Sequence, residues 1–347
     1  MRYPKSLPPN GTIGFVAPSF GCNIEPYKSA FENAQKMLKS RGYRVELGPN
    51  CYEGSGIGIS NTPEKCAAEL TEYYTNESSD CLISCGGGEL MCETISHVDF
   101  ERIKGAEPKW YMGYSDNTNM TYVLATMCDT ASVYGPCAAA FGMVPLHPAL
   151  EDAMGILTGS VGTVRGYDRW EEESLKTPEN PLVPYNATRE RQLRSYVGKE
   201  PVEDGQNLTF KGRLLGGCMD CLVNLLGTRF DHTKEFLEKY KEDGIIWFLE
   251  SCDLNVMSMR RAMWQMEEAG WLQYVKGFLI GRPLHFGEEM LGLDQYSAIL
   301  EVAGRKGVPV IMDVDLGHLP PMMPVIVGSL ATVTVEGNEI SLLMEQK

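Results

Sequence analysis

Lys109-Trp-Tyr-Met-Gly-Tyr-Ser115-Asp-Asn-Thr-Asn119 passes from a short apolar run through a glycine to a serine, then into what reads as the first turn of a helix, Asn117 to Met127. A strand that stops at a glycine and turns straight into a helix presents its last side chain at the carboxyl edge of a sheet. It also sets helix N-terminal amides beside that side chain, where they can stabilise a developing anion. Ser115 therefore stands where a hydrolase nucleophile would. The plainer alternative is that Ser115 or Asp116 only caps the helix.

The same strand-then-helix alternation extends in both directions. Upstream, Thr12-Ile-Gly-Phe-Val-Ala-Pro-Ser19 is a buried strand broken by Pro18, with Ser19 at its carboxyl end. A helical period follows over Pro26 to Arg41, then a strand at Arg44–Leu47 and a helix capped by Thr62 with Pro63 in its first turn. Cys81-Leu-Ile-Ser-Cys85 is a further buried strand, running into Gly86-Gly87-Gly88. Ala131-Ser-Val-Tyr-Gly-Pro136 and a helix from His147 to Leu157 follow Ser115. This pattern predicts a parallel α/β sheet. Between about Gly159 and Gln206 periodicity fails, and that segment reads as a linker with little regular structure. Strands resume at Gly244–Glu250, Gly277–Arg282 and Pro309–His318, with helices at Met219–Leu226, Val256–Ala269 and Asp294–Ala303 between them. The tail from Pro324 to Met344 reads as a β-hairpin turning at Glu336-Gly-Asn-Glu339.

Two of the later strands end in the partners a serine nucleophile needs. Glu250 closes one and His318 lies just past another. In such a set the hydroxyl attacks, the imidazole takes and returns its proton, and the carboxylate fixes the imidazole tautomer and stabilises its charged form. Activity would then need a neutral imidazole and rise with pH through an apparent pKa of about 6–7.5. Taken singly, Glu250 could be a cap or ion-pair partner and His318 a turn residue before Pro320-Pro321. His285 is a rival base, since its strand also ends at that edge. Gly86 and Gly87 could supply an amide to an oxyanion hole or could form an ordinary tight turn. The order Ser…Glu…His occurs in α/β-hydrolases, but Gly113-Tyr-Ser-Asp-Asn117 lacks the second glycine of their nucleophile elbow.

Composition narrows the field. The chain has 347 residues, 43% hydrophobic and 22% charged, enough for two cores. A net charge of -15 repels phosphate backbones and argues against nucleic-acid binding. No stretch approaches the roughly 18–20 apolar residues of a membrane span, and Met1-Arg-Tyr-Pro-Lys5 begins no signal-peptide pattern. Eleven cysteines, an odd number and several of them in apolar runs, fit a reducing cytoplasm. Cys218-Met-Asp-Cys221 has no second pair to complete a zinc site and reads as packing on one helix face. With five scattered histidines, neither a metal nor a cofactor is expected.

Val16-Ala-Pro-Ser19, Gly86-Gly87, Gly113-Tyr-Ser-Asp-Asn-Thr118, Gly216-Gly-Cys218, Phe248-Leu-Glu250, Gly281-Arg282 and Leu316-Gly-His-Leu-Pro-Pro321 together resemble the LD-carboxypeptidase family, in the family's order and over nearly the whole chain. The resemblance implies catalytic Ser115, Glu250 and His318, with an oxyanion hole from the Asp116 amide and one from Gly86 or Gly87. It implies an N-terminal parallel α/β domain (1–160), a linker (161–210) and a C-terminal β-rich α/β domain (211–347), with the active site in the cleft between them. Two branches are known, one trimming D-alanine from murein tetrapeptides and one, the microcin C self-immunity branch, cleaving the amide that joins a peptide or aminoacyl part to a nucleotide analogue. The long linker and the Val98-Asp-Phe100 segment resemble the second branch, while Gly86-Gly-Gly-Glu89 matches neither. In the immunity branch a linker aromatic stacks on adenine, and Trp170 is the candidate here, with Ser19 and Arg282 as further candidate substrate contacts. The expected partner is a small peptide or peptidyl-nucleotide, the expected assembly a homodimer, and no nucleic acid or membrane is expected. A non-catalytic two-lobed small-molecule-binding protein is the alternative of another class, in which nothing would require Glu250 and His318 to converge on Ser115.

Overall fold

In the computed structural model, which describes residues 1–203 and 206–346, the Ser115 strand is Trp110–Gly113, buried on both faces. It lies inside a sheet whose parallel members run in the order Ser132–Tyr134, Trp110–Gly113, Cys81–Ser84, Thr12–Val16, Arg44–Leu47. Chain order reverses between Thr12–Val16 and Cys81–Ser84, and the crevice beyond the strand ends at such a switch point is where open α/β sheets bind ligands. The four inner runs are continuously buried, as a sheet covered by helices on both faces demands, while Arg44–Leu47 at the edge is partly exposed.

A second sheet, of nine strands among the described residues, is mixed. Its centre is parallel: Leu208–Cys218, Ile245–Glu250, Val275–Gly281 and Pro309–Val314. Antiparallel strands complete both sides, among them the C-terminal hairpin of Leu330–Glu336 with Glu339–Glu345.

Two readings of the sequence are corrected here. The stretch expected to have little regular structure holds, among its described residues, five short strands, Thr163–Arg165, Arg169–Trp170, Arg189–Glu190, Arg194–Val197 and Glu200–Pro201. Strands of two to four residues carry too little alternation to be read; Arg194–Val197 forms on Pro309–Val314 and Thr163–Arg165 on Glu339–Glu345, while Arg169–Trp170 and Arg189–Glu190 pair with each other. Asp204 and Gly205, inside the expected linker, and Lys347, at the end of the expected second domain, lie outside the described residues. The hairpin is shorter than expected, because Val325–Val327 leaves it to pair antiparallel with Ser132–Tyr134 in the first sheet. Three short helices, Met91–Ile95, Phe100–Gly105 and Thr233–Lys239, show no readable period in five to seven residues.

The helix after Ser115, Thr118–Thr126, is buried on every side, as a helix must be when it is wedged between layers rather than laid on a surface. Its Tyr122 stacks on Trp271 at 5.6 Å and on Trp247 of the second sheet at 6.4 Å, and those indoles stack on each other at 5.8 Å. Each aromatic pair of this kind adds about 0.5–1.5 kcal/mol beyond its buried area. The element that positions Ser115 is thereby fixed to the sheet that carries Glu250.

Candidate active site

Ser115 does not cap its helix. A 3-10 turn, Ser115–Asn117, precedes Thr118–Thr126, and no side-chain cap closes either start. Ser115 instead has φ 62°, a left-handed conformation that costs a non-glycine residue about 1–3 kcal/mol. That bend turns the hydroxyl away from the helix and towards the second sheet, where Ser115 Oγ lies 2.9 Å from His318 Nε2. His318 Nδ1 lies 2.9 Å from Glu250 Oε2. Glu250 ends its strand fully buried, and Gly317 beside it has φ 97°. A Cβ at Gly317 would come within 2.6 Å of Glu250 Oε2, so only glycine lets the His318 turn close on the carboxylate.

The electrostatics of the pair are mutual. Burial alone would raise the Glu250 carboxyl, but the neighbouring His318, with hydrogen bonds from His318, Tyr134 and Cys218, holds it below the usual carboxylate range. Burial alone would lower His318, yet the charge of Glu250, helped by the Cys252 thiol, lifts the imidazole well above its ordinary value. The tautomer follows: Nδ1 donates to the carboxylate, leaving Nε2 to accept from the serine hydroxyl.

Gly87 approaches Ser115 so closely that a Cβ there would meet Ser115 Cβ at 3.1 Å and Oγ at 3.2 Å. Its turn is tied down on both sides. Gly86 O accepts from Asn117 Nδ2 at 2.8 Å, and Gly87 O accepts from the Phe20 amide at 2.8 Å. Asp116 clamps it from behind, its carboxylate accepting from Ser19 Oγ at 2.5 Å, the Met91 amide at 2.9 Å and Asn119 Nδ2 at 3.0 Å. Burial pushes the Asp116 carboxyl up to about 6 against the pull of those bonds.

Three expected substrate contacts are corrected. Ser19 is fully buried and spends its hydroxyl on Asp116. Arg282 is 1% exposed and bonds Asp315 Oδ1 at 2.6 Å and the Asp313 carbonyl at 2.9 Å, bracing the loop that leads to His318. Trp170 is 4% exposed, with Arg282 over its ring at 5.0 Å, Phe286 against it at 5.1 Å and Nε1–H donating to the Glu190 carbonyl at 3.3 Å. It has no open face for a base. Trp170→Ala is therefore expected to act on stability, lowering the unfolding free energy by roughly 3–5 kcal/mol, the cost of truncating a buried indole. Denaturant melts check this, and an unchanged midpoint would contradict the packing described. The rival base, His285, is exposed in a turn, where its carbonyl accepts from the Glu288 amide.

The serine and histidine open into a cleft of about 1000 Å³ whose walls come from both sheets and from the 159–206 segment. That segment contributes Glu171, Ser174, Lys176 and Tyr185, so its aromatic on the cleft wall is Tyr185. Sequence reasoning also missed Tyr134, whose hydroxyl donates to Glu250 Oε1 at 2.6 Å and accepts from the Ser115 amide at 3.0 Å. The signal was present, since Tyr134 too ends a strand before a glycine. Among the described residues no group of three His, Cys, Asp or Glu is placed to hold a metal ion, and no helix is long and apolar enough to cross a membrane.

A strained serine bonded to a histidine that is bonded to a buried carboxylate is the arrangement of a serine hydrolase. Residues 13–135 match the LD-carboxypeptidase N-terminal domain and residues 211–333 the LD-carboxypeptidase C-terminal domain. The chain belongs to the LD-carboxypeptidase family and is an enzyme of the serine-peptidase type. It is 24% identical over 340 residues to the microcin C7 self-immunity protein MccF of Escherichia coli, covering 95% of this chain and 92% of that one. It is 22% identical over 360 residues to a protein of Vibrio cholerae provisionally named a carboxypeptidase, covering 99% of this chain and 98% of that one. The fold matches that of MccF in complex with glutamyl sulfamoyl guanosine with a TM-score of 0.79 at 21% identity, over 99% of this chain and 98% of that one.

Proposed function

We propose that this enzyme hydrolyses an amide bond in a small peptide conjugate, an aminoacyl- or peptidyl-nucleotide analogue, as a self-immunity or detoxification activity. The observation that carries the hydrolytic reading is the continuous chain Ser115 Oγ, His318, Glu250, with both links at 2.9 Å. In the reaction His318 Nε2 takes the serine proton as Oγ attacks the amide carbon. The Asp116 amide and that of Gly87 or Gly86 stabilise the resulting oxyanion. His318 then protonates the leaving amine, and water releases the acyl group by the same steps in reverse roles. A non-catalytic binding protein would have no use for a strained serine in this chain.

For the substrate, the cleft supplies the support. Its only lysine or arginine among the described lining residues is Lys176, which suits a sulfamate, phosphate or carboxylate next to the scissile amide. Tyr185 replaces Trp170 as the proposed platform for a base. A murein tetrapeptide is the second reading, favoured by the family model itself, since its terminal carboxylate would use the same lysine. All eleven cysteines are unpaired, which supports action in a reducing cytoplasm, and a homodimer is the assembly proposed.

The test compares kcat/KM on an aminoacyl-nucleotide amide and on a murein tetrapeptide. Tyr185→Ala is expected to weaken turnover of the nucleotide substrate by roughly 1–3 kcal/mol, the scale of base–aromatic stacking, and to leave the tetrapeptide nearly unaffected. Cleavage of the tetrapeptide alone, indifferent to Tyr185, would assign the enzyme to the second reading.

A further inference from the structure

Ser115 belongs to one sheet and Glu250 to the other, yet the catalytic chain needs them at a fixed separation. We propose that Tyr134 is the positioning residue that sets it, its phenol joining the Ser115 backbone to the Glu250 carboxylate. The inference rests on the hydrolytic reading above and goes beyond it.

The hydrogen bonds run in one direction only. Ser115 N–H donates to Tyr134 Oη at 3.0 Å, and the single phenolic hydrogen goes to Glu250 Oε1 at 2.6 Å. His318 occupies the other oxygen, Oε2, so the two donors together fix the plane of the carboxylate and hence the azimuth of the imidazole. The phenol itself cannot wander. Its ring is fully buried, 5.5 Å from Phe248 of the second sheet and edge-on to Tyr114 at 6.4 Å. Burial, with the adjacent Glu250, holds its ionisation well above the ordinary tyrosine value, so it stays a donor through the working pH range. The strand it ends, Ser132–Tyr134, is also where Val325–Val327 joins the first sheet, so Tyr134 sits at the seam between the two halves.

The other groups facing Glu250 cannot take over. Cys218 and Cys252 are thiols, weak donors, with Cys218 Sγ 3.3 Å from Asp220. Asp220 already accepts the Cys252 and Asp253 amides, and Tyr114 acts on Glu250 through charge alone. Removing the phenolic hydroxyl would leave the Glu250 anion less stabilised and therefore more basic. A more basic carboxylate holds the imidazolium more strongly, so His318 would shed its proton at higher pH. Loss of packing alone would not move that equilibrium, because phenylalanine fills the same space.

The test uses the full chain carrying Tyr134→Phe. On the best amide substrate kcat is expected to fall about 10–100-fold with KM held within about threefold, and the acidic limb of the kcat/KM profile to move to higher pH. Replacing Tyr134 by 3-fluorotyrosine keeps the shape but makes a stronger donor, and the limb should then move to lower pH. Wild-type kcat in Tyr134→Phe, or a reduced kcat with an unmoved limb, would overturn the inference while leaving the hydrolytic reading intact. If Tyr134→Phe fails to fold, an unmoved limb in the fluorotyrosine protein overturns it as well. A wild-type protein that cleaves no amide would overturn both readings together.

Discussion

Ser115→Ala is expected to lower kcat for amide hydrolysis by about 10⁴–10⁶, since a triad acts as a unit and loses most of its effect with any member. The fold should survive. Alanine keeps the Cβ that the left-handed backbone already accommodates, and the atom removed is one that faces the cleft. Its hydrogen bond is to His318, which keeps Glu250 as a partner through Nδ1, and the Nε2 that loses the serine belongs to a ring lining the cleft, where water can replace it. Thermal unfolding within the error of wild type, together with a rate reduced by that factor, is the combination expected. Retention of even a tenth of the activity would show that another group attacks.

His318→Ala should cost a similar factor, whereas His285→Ala, at an exposed turn, should leave kcat/KM nearly unchanged. The pH profile carries the same assignment. Only the neutral imidazole can accept the serine proton, so activity must rise with pH as His318 loses its charge. Glu250 beside it favours the charged form, which displaces the limb above the ordinary histidine value of about 6.5 rather than around it. The sequence offered no measure of that displacement, because it depends on the 2.9 Å contact between ring and carboxylate. Glu250 titrates in the opposite sense: its carboxyl is held low, so it stays ionised wherever His318 is neutral. A limb below 6 in the wild type would contradict the coupling between the two.

The proposed catalytic set is legible because one rule governs all of it. Ser115 and His318 follow buried strands and Glu250 ends one, and each of the two sheets delivers such positions to the carboxyl edge of its parallel strands. Tyr134 obeys the same rule and was passed over because a tyrosine at a strand end has no chemistry until its hydroxyl is seen between two partners. Ser19 and Arg282 show the converse, since a strand end also hosts residues that brace the site from behind. A serine facing Asp116 and a serine facing solvent look alike in sequence. Trp170 is a large aromatic in the linker, but whether its ring faces the cleft depends on a two-residue strand whose pairing with Arg189–Glu190 leaves no periodic trace. Tyr185 reaches the cleft from the same segment without any local signal that distinguishes it. Long strands and amphipathic helices declare which side is buried, whereas short irregular segments take their orientation from contacts made far along the chain.

The central claim is that Ser115 is a nucleophile activated by His318 and Glu250, and covalent labelling tests it most directly. The wild-type protein is treated with a fluorophosphonate, its intact mass measured and the modified peptide mapped. One adduct per chain is expected, located on Ser115, absent in Ser115→Ala and formed far more slowly in His318→Ala. An adduct that persists in Ser115→Ala, or a wild-type chain that remains unlabelled, would contradict it.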